Sequence, residues 1–486
     1  MPVVAGVDSS TQSCKVEIRD ADSGSVIGSG SAPHPRTTPP VSEQNPADWW
    51  SAFSVALAKA CDDARVSPSE IRAISVAAQC HGLVLLGRGG AVLRPVKLWN
   101  DLTSAPQAEA MVAQMGKEFW AQAVGSVPTA AFTITKLAWV AQNEPEIMGQ
   151  AVGACLPHDW LTWKLCGNLV TDRSEASGTG YYNAPARAYR WDILSRFAGV
   201  NESFELPEVL GPDSVAGLVV PEIAAELGFG KDVLVGPGAG DQHAAALGMG
   251  IGAGDVVFSL GTSGVVMTPS QASIHDPSGV VNGVCDATGR YLPLICTLNC
   301  TKVVDWFRDL LGVDYEQFDR LAVSVPSQER ILTLAAYFDG ERTPSLPNSV
   351  GILAGLTPES TRAQIARAAV DGVVMGLVEG LDAIQRCGAA VDGLIVAAGG
   401  GAASWAFRQS IADLVNREVH VLEAPGATVR GACLQAATIL AGVSIDEMRT
   451  AWRPPVVVTT PPGDLTSPQA RAAYRELAGY RGMDRS

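Results

Sequence analysis

The sequence lacks the residue spacings that mark a metal scaffold. Its ten cysteines, at positions 14, 61, 80, 155, 166, 285, 296, 300, 387 and 433, include no Cys-x-x-Cys pair, and its six histidines no His-Glu-x-x-His, so no zinc site is expected. The closest pair, Cys296 and Cys300, reads as core packing. No stretch reaches the roughly 18 unbroken apolar residues of a membrane-spanning helix. Met1 to Asp8 run straight into a short apolar strand without a basic region or cleavable apolar segment, so a cytoplasmic, reducing setting is the expectation. Positive charge is also scarce: 35 Lys plus Arg face 50 Asp plus Glu, a net −15. Such a surface repels phosphate backbones and anionic headgroups, and neither a nucleic acid nor a membrane is expected as partner. With 47% hydrophobic and 17% charged residues over 486 positions, the chain has the material for two large units or three smaller ones around a small-molecule partner.

Two common phosphate signatures are missing as well. There is no Gly-x-x-x-x-Gly-Lys-Ser/Thr, and no Gly-x-Gly-x-x-Gly after the first strand, which removes P-loop enzymes and most dinucleotide oxidoreductases. What is present is a repeated hairpin. Val3 to Val7 form an apolar run that breaks at Asp8-Ser9-Ser10-Thr11-Gln12-Ser13 and resumes as Cys14-Lys15-Val16-Glu17-Ile18. About 250 positions later, Asp255 to Leu260 break at Gly261-Thr262-Ser263-Gly264 and resume as Val265-Val266-Met267. A repeat at that interval is too long for a solenoid and predicts two large domains, each opened by a hairpin whose turn approaches a common ligand. Two unrelated hairpins are the plain alternative. The glycine-dense stretch from Gly236 to Gly254 makes a hinge, which divides the chain into 1–247, 248–448 and a tail, 449–486.

In the second half, Thr357-Pro358 reads as a cap and first position of a helix running to about Gly388. A buried-type strand, Leu394 to Ala398, leads through Gly399-Gly400-Gly401-Ala402-Ala403-Ser404 into a helix from Trp405 to Val415, an order that suits a nucleotide. Val419 to Leu422 reads as a strand and Gly431 to Leu440 as a helix. The tail, with two Pro-Pro pairs before Gln469 to Leu477, reads as a linker and a terminal surface helix.

Hydroxyl- and glycine-bearing turns can bind phosphate oxygens through backbone N–H groups without a lysine at their centre. In so acidic a chain the missing countercharge would come from Mg²⁺, and Asp8, at the end of the first strand, is the carboxylate placed to hold it. Asp241 lies in the most glycine-rich stretch, where a carboxylate can reach a ligand past small neighbours; it is the candidate base, and it reads equally well as the cap of a helix starting at Gln242. Gln79-Cys80-His81-Gly82 closes a strand with polar groups suited to a sugar, although a lone histidine is more often structural than functional. Leu98-Trp99-Asn100-Asp101 offers an aromatic face, an amide and a carboxylate, or else a helix capped at Asp101. Trp49-Trp50, after Pro46-Ala47-Asp48, reads as a helix start with buried aromatics and no further role.

Taken together these residues resemble the FGGY carbohydrate kinase family, most closely the branch that phosphorylates D-xylulose. The likeness runs through Gly6 to Lys15, Ser42-Glu43-Gln44-Asn45-Pro46 with Trp49-Trp50, Gln79 to Gly82, Leu98 to Asp101, Gly240-Asp241-Gln242, Leu260 to Gly264, Gly340-Glu341-Arg342-Thr343-Pro344 and Gly399 to Ala402. The resemblance implies an α/β protein of two actin-like ATPase (ribonuclease H-like) domains, with mixed sheets flanked by helices and a cleft between them. It implies transfer of the γ-phosphoryl group of ATP to the sugar's 5-hydroxyl, with Mg²⁺, the sugar and ATP as the only partners and a homodimer allowed but not required. By the same likeness Asp241 is the base, and Asp8 with Asp241 lies near the magnesium. Ser10, Thr11 and Lys15 belong to the first phosphate turn, Gly261, Thr262 and Ser263 to the second, and Gly399, Gly400, Gly401 and Ala402 lie along the adenosine. Cys80, His81, Asp241 and Gln242 face the ketose. Two positions depart from the pattern. Ser10 and Ser13 stand where the usual turn has glycine, and Gln242 follows the base where an asparagine is common in the D-xylulose branch and a glutamine in glycerol kinases. Another ketose or polyol, such as ribulose or glycerol, is therefore the alternative substrate. A non-catalytic ATPase-fold protein is the alternative of another class, although the roughly 40 residues after Ile439 could not build an added peptide-binding domain.

Overall fold

The computed structural model describes residues 2–326, 329–463 and 468–485. The first sheet begins with the expected hairpin, β1 (Val3–Ser9) and β2 (Ser13–Asp20), followed by β3 (Val26–Pro33), all antiparallel. Helix α1 (Pro46–Ala64) then covers one face, its start fixed by Asn45, whose Oδ1 accepts the Ala47 N–H at 3.0 Å, with proline at the first position. Strand β4 (Ile71–Ala78) runs parallel to β1. It is buried along nearly its whole length because both faces of the sheet are covered, so Ser75 turns inward and donates to Gln435 rather than to solvent. Beyond α2 (Thr133–Asn143) and the short α3 (Arg173–Ser177), the chain adds β5 (Gly217–Leu218), β6 (Leu234–Val235) and β7 (Ala239–Gly240) before entering α4 (Asp241–Gly248). The order is β5-β6-β4-β1-β2-β3, with β7 also parallel to β4.

The second sheet repeats the device. Strand β8 (Val256–Leu260) turns into antiparallel β9 (Gly264–Met267), and β10 (Asn282–Cys285) and β11 (Tyr291–Thr297) extend that side. After α5 (Arg362–Arg386), β12 (Ile395–Ala398) lies parallel to β8 as β4 does to β1. Then come α6 (Trp405–Val415), β13 (Val419–Leu422), α7 (Ala427–Ala441), β14 (Val456–Thr460) and α8 (Pro468–Gly479), giving the order β10-β11-β9-β8-β12-β13-β14. Each half is thus a mixed sheet flanked by helices, as expected.

Three local readings differ from the structure. Helix α5 starts at Arg362 under Thr361, which exchanges hydrogen bonds with Gln364, while Thr357 serves a separate turn that takes the Glu359 N–H. Two hydroxyls four residues apart offered two caps, and only Thr361 has a glutamine three residues on to complete a capping box. The segment read as a linker contains β14, paired antiparallel with β13 at the sheet edge. Residues 464–467 of that segment lie outside the described residues, and the terminal helix inserts Tyr474 into the second core.

Helix α7 binds the halves together. It belongs to the second half by sequence, yet its Ala432, Cys433, Leu434, Ala436 and Ala437 pack with Val4, Ala73 and Ala77 of the first sheet and with Ala244 and Leu247 of α4. The crossing of α4 and α7 is so close that a Cβ at Gly431 would run into the Ala244 carbonyl oxygen, and one at Gly248 into that of Ala427.

Candidate active site

The β1–β2 turn carries Asp8 at its entrance. Ser10 Oγ donates to Asp8 Oδ1 at 2.5 Å. Neither Ser10 nor Ser13 has positive φ, so the turn needs no glycine at those positions and the serine hydroxyls come without backbone strain. Gln44 fastens the turn: its Nε2 donates to Thr11 O at 2.9 Å, and its Oε1 accepts from Trp49 Nε1 at 2.8 Å and Gln79 Nε2 at 3.1 Å. Trp49 therefore does more than fill the core. Trp99 Nε1 donates to Thr11 Oγ1 at 2.8 Å, which brings the Leu98–Asp101 segment to the first turn. Asp101 itself is fully buried, accepting the Ser42 N–H at 2.9 Å and the Thr103 N–H at 3.0 Å, and the following helix begins only at Ala105, so Asp101 does not cap it. Asn100 Oδ1, by contrast, is buried with no partner among the described residues, an acceptor available to a hydroxyl group. Lys15 is paired with Glu17 at 2.6 Å and lies beside Gly426, at the start of α7.

In the second half, the turn of Gly261, Thr262 and Ser263 is tied back by Thr301 N to Gly261 O (3.0 Å) and Cys300 N to Thr262 O (3.1 Å). The Thr262 and Ser263 side chains are exposed, and their hydroxyls have no hydrogen-bond partner among the described residues. Gly399, at φ +80°, and Gly401 pack against the Leu260 backbone and Cβ, so the β8–β9 turn and the glycine turn before α6 adjoin. No heavy atom lies within 4 Å of the place a Cβ would take at Gly400. Free hydroxyls beside an open, side-chain-free stretch of backbone fit a nucleotide phosphate chain and its ribose.

The remaining sequence candidates converge where β4 and β7 end. Asp241 opens α4, and its Oδ1 accepts from Gln242 N at 2.7 Å and from the Cys80 thiol at 3.3 Å, leaving Oδ2 without a partner among the described residues. Burial raises its pKa above the usual carboxylate range, opposed by those two hydrogen bonds. Burial likewise holds the Cys80 thiol well up, so it stays protonated and acts as a donor. Gln242 is exposed beside them. His81 adopts φ +64°, an unusual backbone angle for a non-glycine residue, and is locked there. Its N–H donates to Glu175 Oε1 at 2.5 Å, its carbonyl accepts from Thr133 Oγ1 at 3.2 Å and Lys136 Nζ at 3.1 Å, and its ring stacks on Phe132 with centroids 5.4 Å apart. Burial keeps the imidazole pKa well below its ordinary value, so the ring is neutral.

Glu175 and Lys136 were not legible as site residues. Asp172-Arg173-Ser174-Glu175 has the spacing of a helix-capping box, and Asp172 does cap α3, but the Glu175 side chain leaves that helix for His81. Cys80, Glu175 and His243 place potential ligand atoms within 4.8 Å of one another. A Cβ on Gly240 would run into Glu175 Oε2 and sit 2.6 Å from the sulfur and 2.7 Å from His243 Nδ1, so a side chain at that position has no room among the three.

Asp8 is the second unusual acid. Its pKa is pushed up to about 7, by burial first and, against the Ser10 hydrogen bond, by the negative charge of Asp241. Two half-buried carboxylates, one of which is raised by the charge of the other, fit a divalent cation, whose charge would ease the repulsion between them.

The FGGY family of carbohydrate kinases matches this chain on both sides of the hinge, its N-terminal domain over residues 3–248 and its C-terminal domain over residues 256–440. The chain belongs to that family. It is 42% identical over 452 residues to a xylulose kinase of Streptomyces coelicolor, covering 93% of this chain and 91% of that one. To a xylulose kinase of Haemophilus influenzae it is 32% identical over 442 residues, 89% of each chain. The crystal structure of xylulose kinase from Bifidobacterium adolescentis superposes with a TM-score of 0.88 at 37% identity, over 98% of this chain and 99% of that one. The two sheets and their helices are thus the paired actin-like, ribonuclease H-like domains of an FGGY sugar kinase, as the motifs implied.

Proposed function

We propose that this FGGY kinase transfers the γ-phosphoryl group of ATP to the 5-hydroxyl of D-xylulose, giving D-xylulose 5-phosphate and ADP. The observation that carries the reading is Asp241: a half-buried carboxylate with one oxygen fixed by two donors and the other without a partner among the described residues, at the meeting point of the Cys80–His81 segment and α4. The sugar oxygen attacks the γ-phosphorus, the bond to the β,γ-bridging oxygen breaks with its electron pair leaving on ADP, and the hydroxyl proton passes to Asp241 Oδ2. In so loose a transfer the proton leaves late, and position counts for more than basicity. His81, neutral and held rigid, offers a ring nitrogen to the ketose, with Cys80 and Gln242 lining the same side. Ser10, Thr11 and Lys15 take phosphate oxygens from the first half. Gly261, Thr262 and Ser263 take them from the second, and Gly399, Gly400, Gly401 and Ala402 lie along the adenosine. Asp8 and Asp241 would hold Mg²⁺, which neutralises phosphate charge when bound.

ADP release across a panel of pentuloses, pentoses and polyols, in the presence of Mg²⁺, tests the reading. D-xylulose should exceed every other acceptor in kcat/KM by about tenfold or more, a difference of about 1.4 kcal/mol in transition-state binding. Preference for D-ribulose or glycerol would transfer the assignment to another substrate of the same family.

The pH profile gives a sharper check on Asp241. Transfer needs the unprotonated carboxylate, so kcat should fall as the pH drops through its raised pKa, on a limb above the ordinary value near ~4. The Cys80 thiol favours the charged form, and Cys80→Ala removes that support. The acidic limb should then move to higher pH by about one unit, with kcat on the alkaline plateau little changed. An unmoved or lowered limb would mean that the thiol does not act on the base.

A further inference from the structure

The segment Gly340-Glu341-Arg342-Thr343-Pro344 has had no role so far. It is held with unusual care. Glu341 is 4% exposed and accepts three N–H donors, from Leu298 (2.6 Å), Arg342 (2.7 Å) and Asn299 Nδ2 (3.0 Å), and Asn299 also donates to Gly340 O at 2.7 Å. The Glu341 backbone exchanges both of its hydrogen bonds with Leu346, at 2.9 and 2.8 Å. A buried carboxylate with this many donors fixes the backbone on either side of it, and what it fixes here is Arg342.

The Arg342 side chain leaves the second half and crosses to the first. Its guanidinium carbon lies 5.9 Å from the centroid of the Trp99 ring, and Trp99 is the residue bonded to Thr11 in the first turn. On its own side it meets the Cys296 sulfur, on β11. Its positive charge also reaches His81 on the sugar side. Among the described residues no carboxylate lies within ion-pair distance of Arg342. Arg94, Arg290, Arg367 and Arg471 each pair with an acid at 2.5 to 2.8 Å. In a chain with 50 acidic residues, a half-buried guanidinium that has no ion-pair partner among the described residues and is backed by an indole suits an anion.

We propose that Arg342 contacts the phosphoryl group from the acceptor side, donating to its non-bridging oxygens during transfer and holding the phosphate ester of the sugar product. The inference rests on the sugar-kinase reading above. In the step described there the oxygen–phosphorus bond to the sugar forms, the bond to ADP breaks, and the proton goes to Asp241. Arg342 acts only as a donor of N–H groups and neither gains nor loses a proton. Its fork of N–H groups matches two phosphoryl oxygens at once, which a lysine ammonium does not.

Arg342→Gln and Arg342→Lys test the assignment in the full-length protein, with kcat and KM from ADP release and with D-xylulose 5-phosphate binding measured by calorimetry, which needs no turnover. The glutamine variant should lose about 100-fold or more in kcat and about tenfold in affinity for the sugar phosphate, while the KM for D-xylulose and the affinity for ADP stay within about threefold. The lysine variant should recover less than about a tenth of the lost kcat, and it carries the test should the glutamine variant fail to fold. Parental kcat with parental sugar-phosphate affinity overturns the proposal. So does an equal loss of affinity for D-xylulose, ADP and the sugar phosphate, the signature of a strut between the halves. If the parent turned over no sugar but still bound D-xylulose 5-phosphate more tightly than the glutamine variant, the kinase reading would fail and the anion site would stand.

Discussion

Asp241→Asn should remove sugar-dependent ADP release by about a thousandfold or more while leaving ATP binding intact. The substitution is nearly isosteric, and the amide oxygen can keep both hydrogen bonds that Asp241 Oδ1 now accepts, from Gln242 N and the Cys80 thiol. What it cannot do is take a proton on its second atom, which becomes an NH₂ group. The loss should therefore fall on kcat with little change in folding or nucleotide affinity. Turnover above about a hundredth of the parent, with ADP affinity unchanged, would place the base elsewhere, since general-base groups typically contribute 10²–10⁴-fold.

The largest effect on stability should come from Gly431→Val. Helices α4 and α7 meet backbone to backbone at Gly431 and Gly248, and the obstacle to a side chain at residue 431 is the Ala244 carbonyl, which cannot rotate away as a flexible side chain can. The same helix α7 covers β1 and β4, so a shift that relieved the clash would disturb the first sheet behind Asp8. A cost of about 3 kcal/mol or more is expected, at the upper end of overpacking penalties. Urea unfolding followed by tryptophan fluorescence would read it. Gly479→Ala, at the end of α8 with nothing near the added methyl and no positive φ, is the control and should change the midpoint by no more than about 0.5 kcal/mol. A Gly431→Val protein as stable as the control would show that the crossing can open without loss.

The parts of the site that were legible are those encoded within a few residues. A turn such as Gly261-Thr262-Ser263 between two apolar runs declares itself by composition, and Asp241 stands out because everything around it is small. Glu175 was hidden for the opposite reason. Its spacing from Asp172 already had a complete local explanation, and its actual partner, the His81 N–H, is 94 residues away. Arg342 lies in a motif that was visible without a partner, because Trp99 comes to it from the other half of the molecule. The strand Val456–Thr460 was masked by flanking prolines, which are tolerated because it is an edge strand with one neighbour.

The sequence by itself determined the two hairpins, the glycine turn, the acidic candidates and the family to which they belong, since each is a local pattern of residue types. Only the tertiary structure decided that helix α7 returns to the first sheet, that Gln435 meets Ser75 across 360 positions, and that an arginine of the second half stands over a tryptophan beside the first turn. Such contacts have no signal of their own in the chain. They follow from burying both faces of two sheets at once, and that is a property of the whole core rather than of any segment within it.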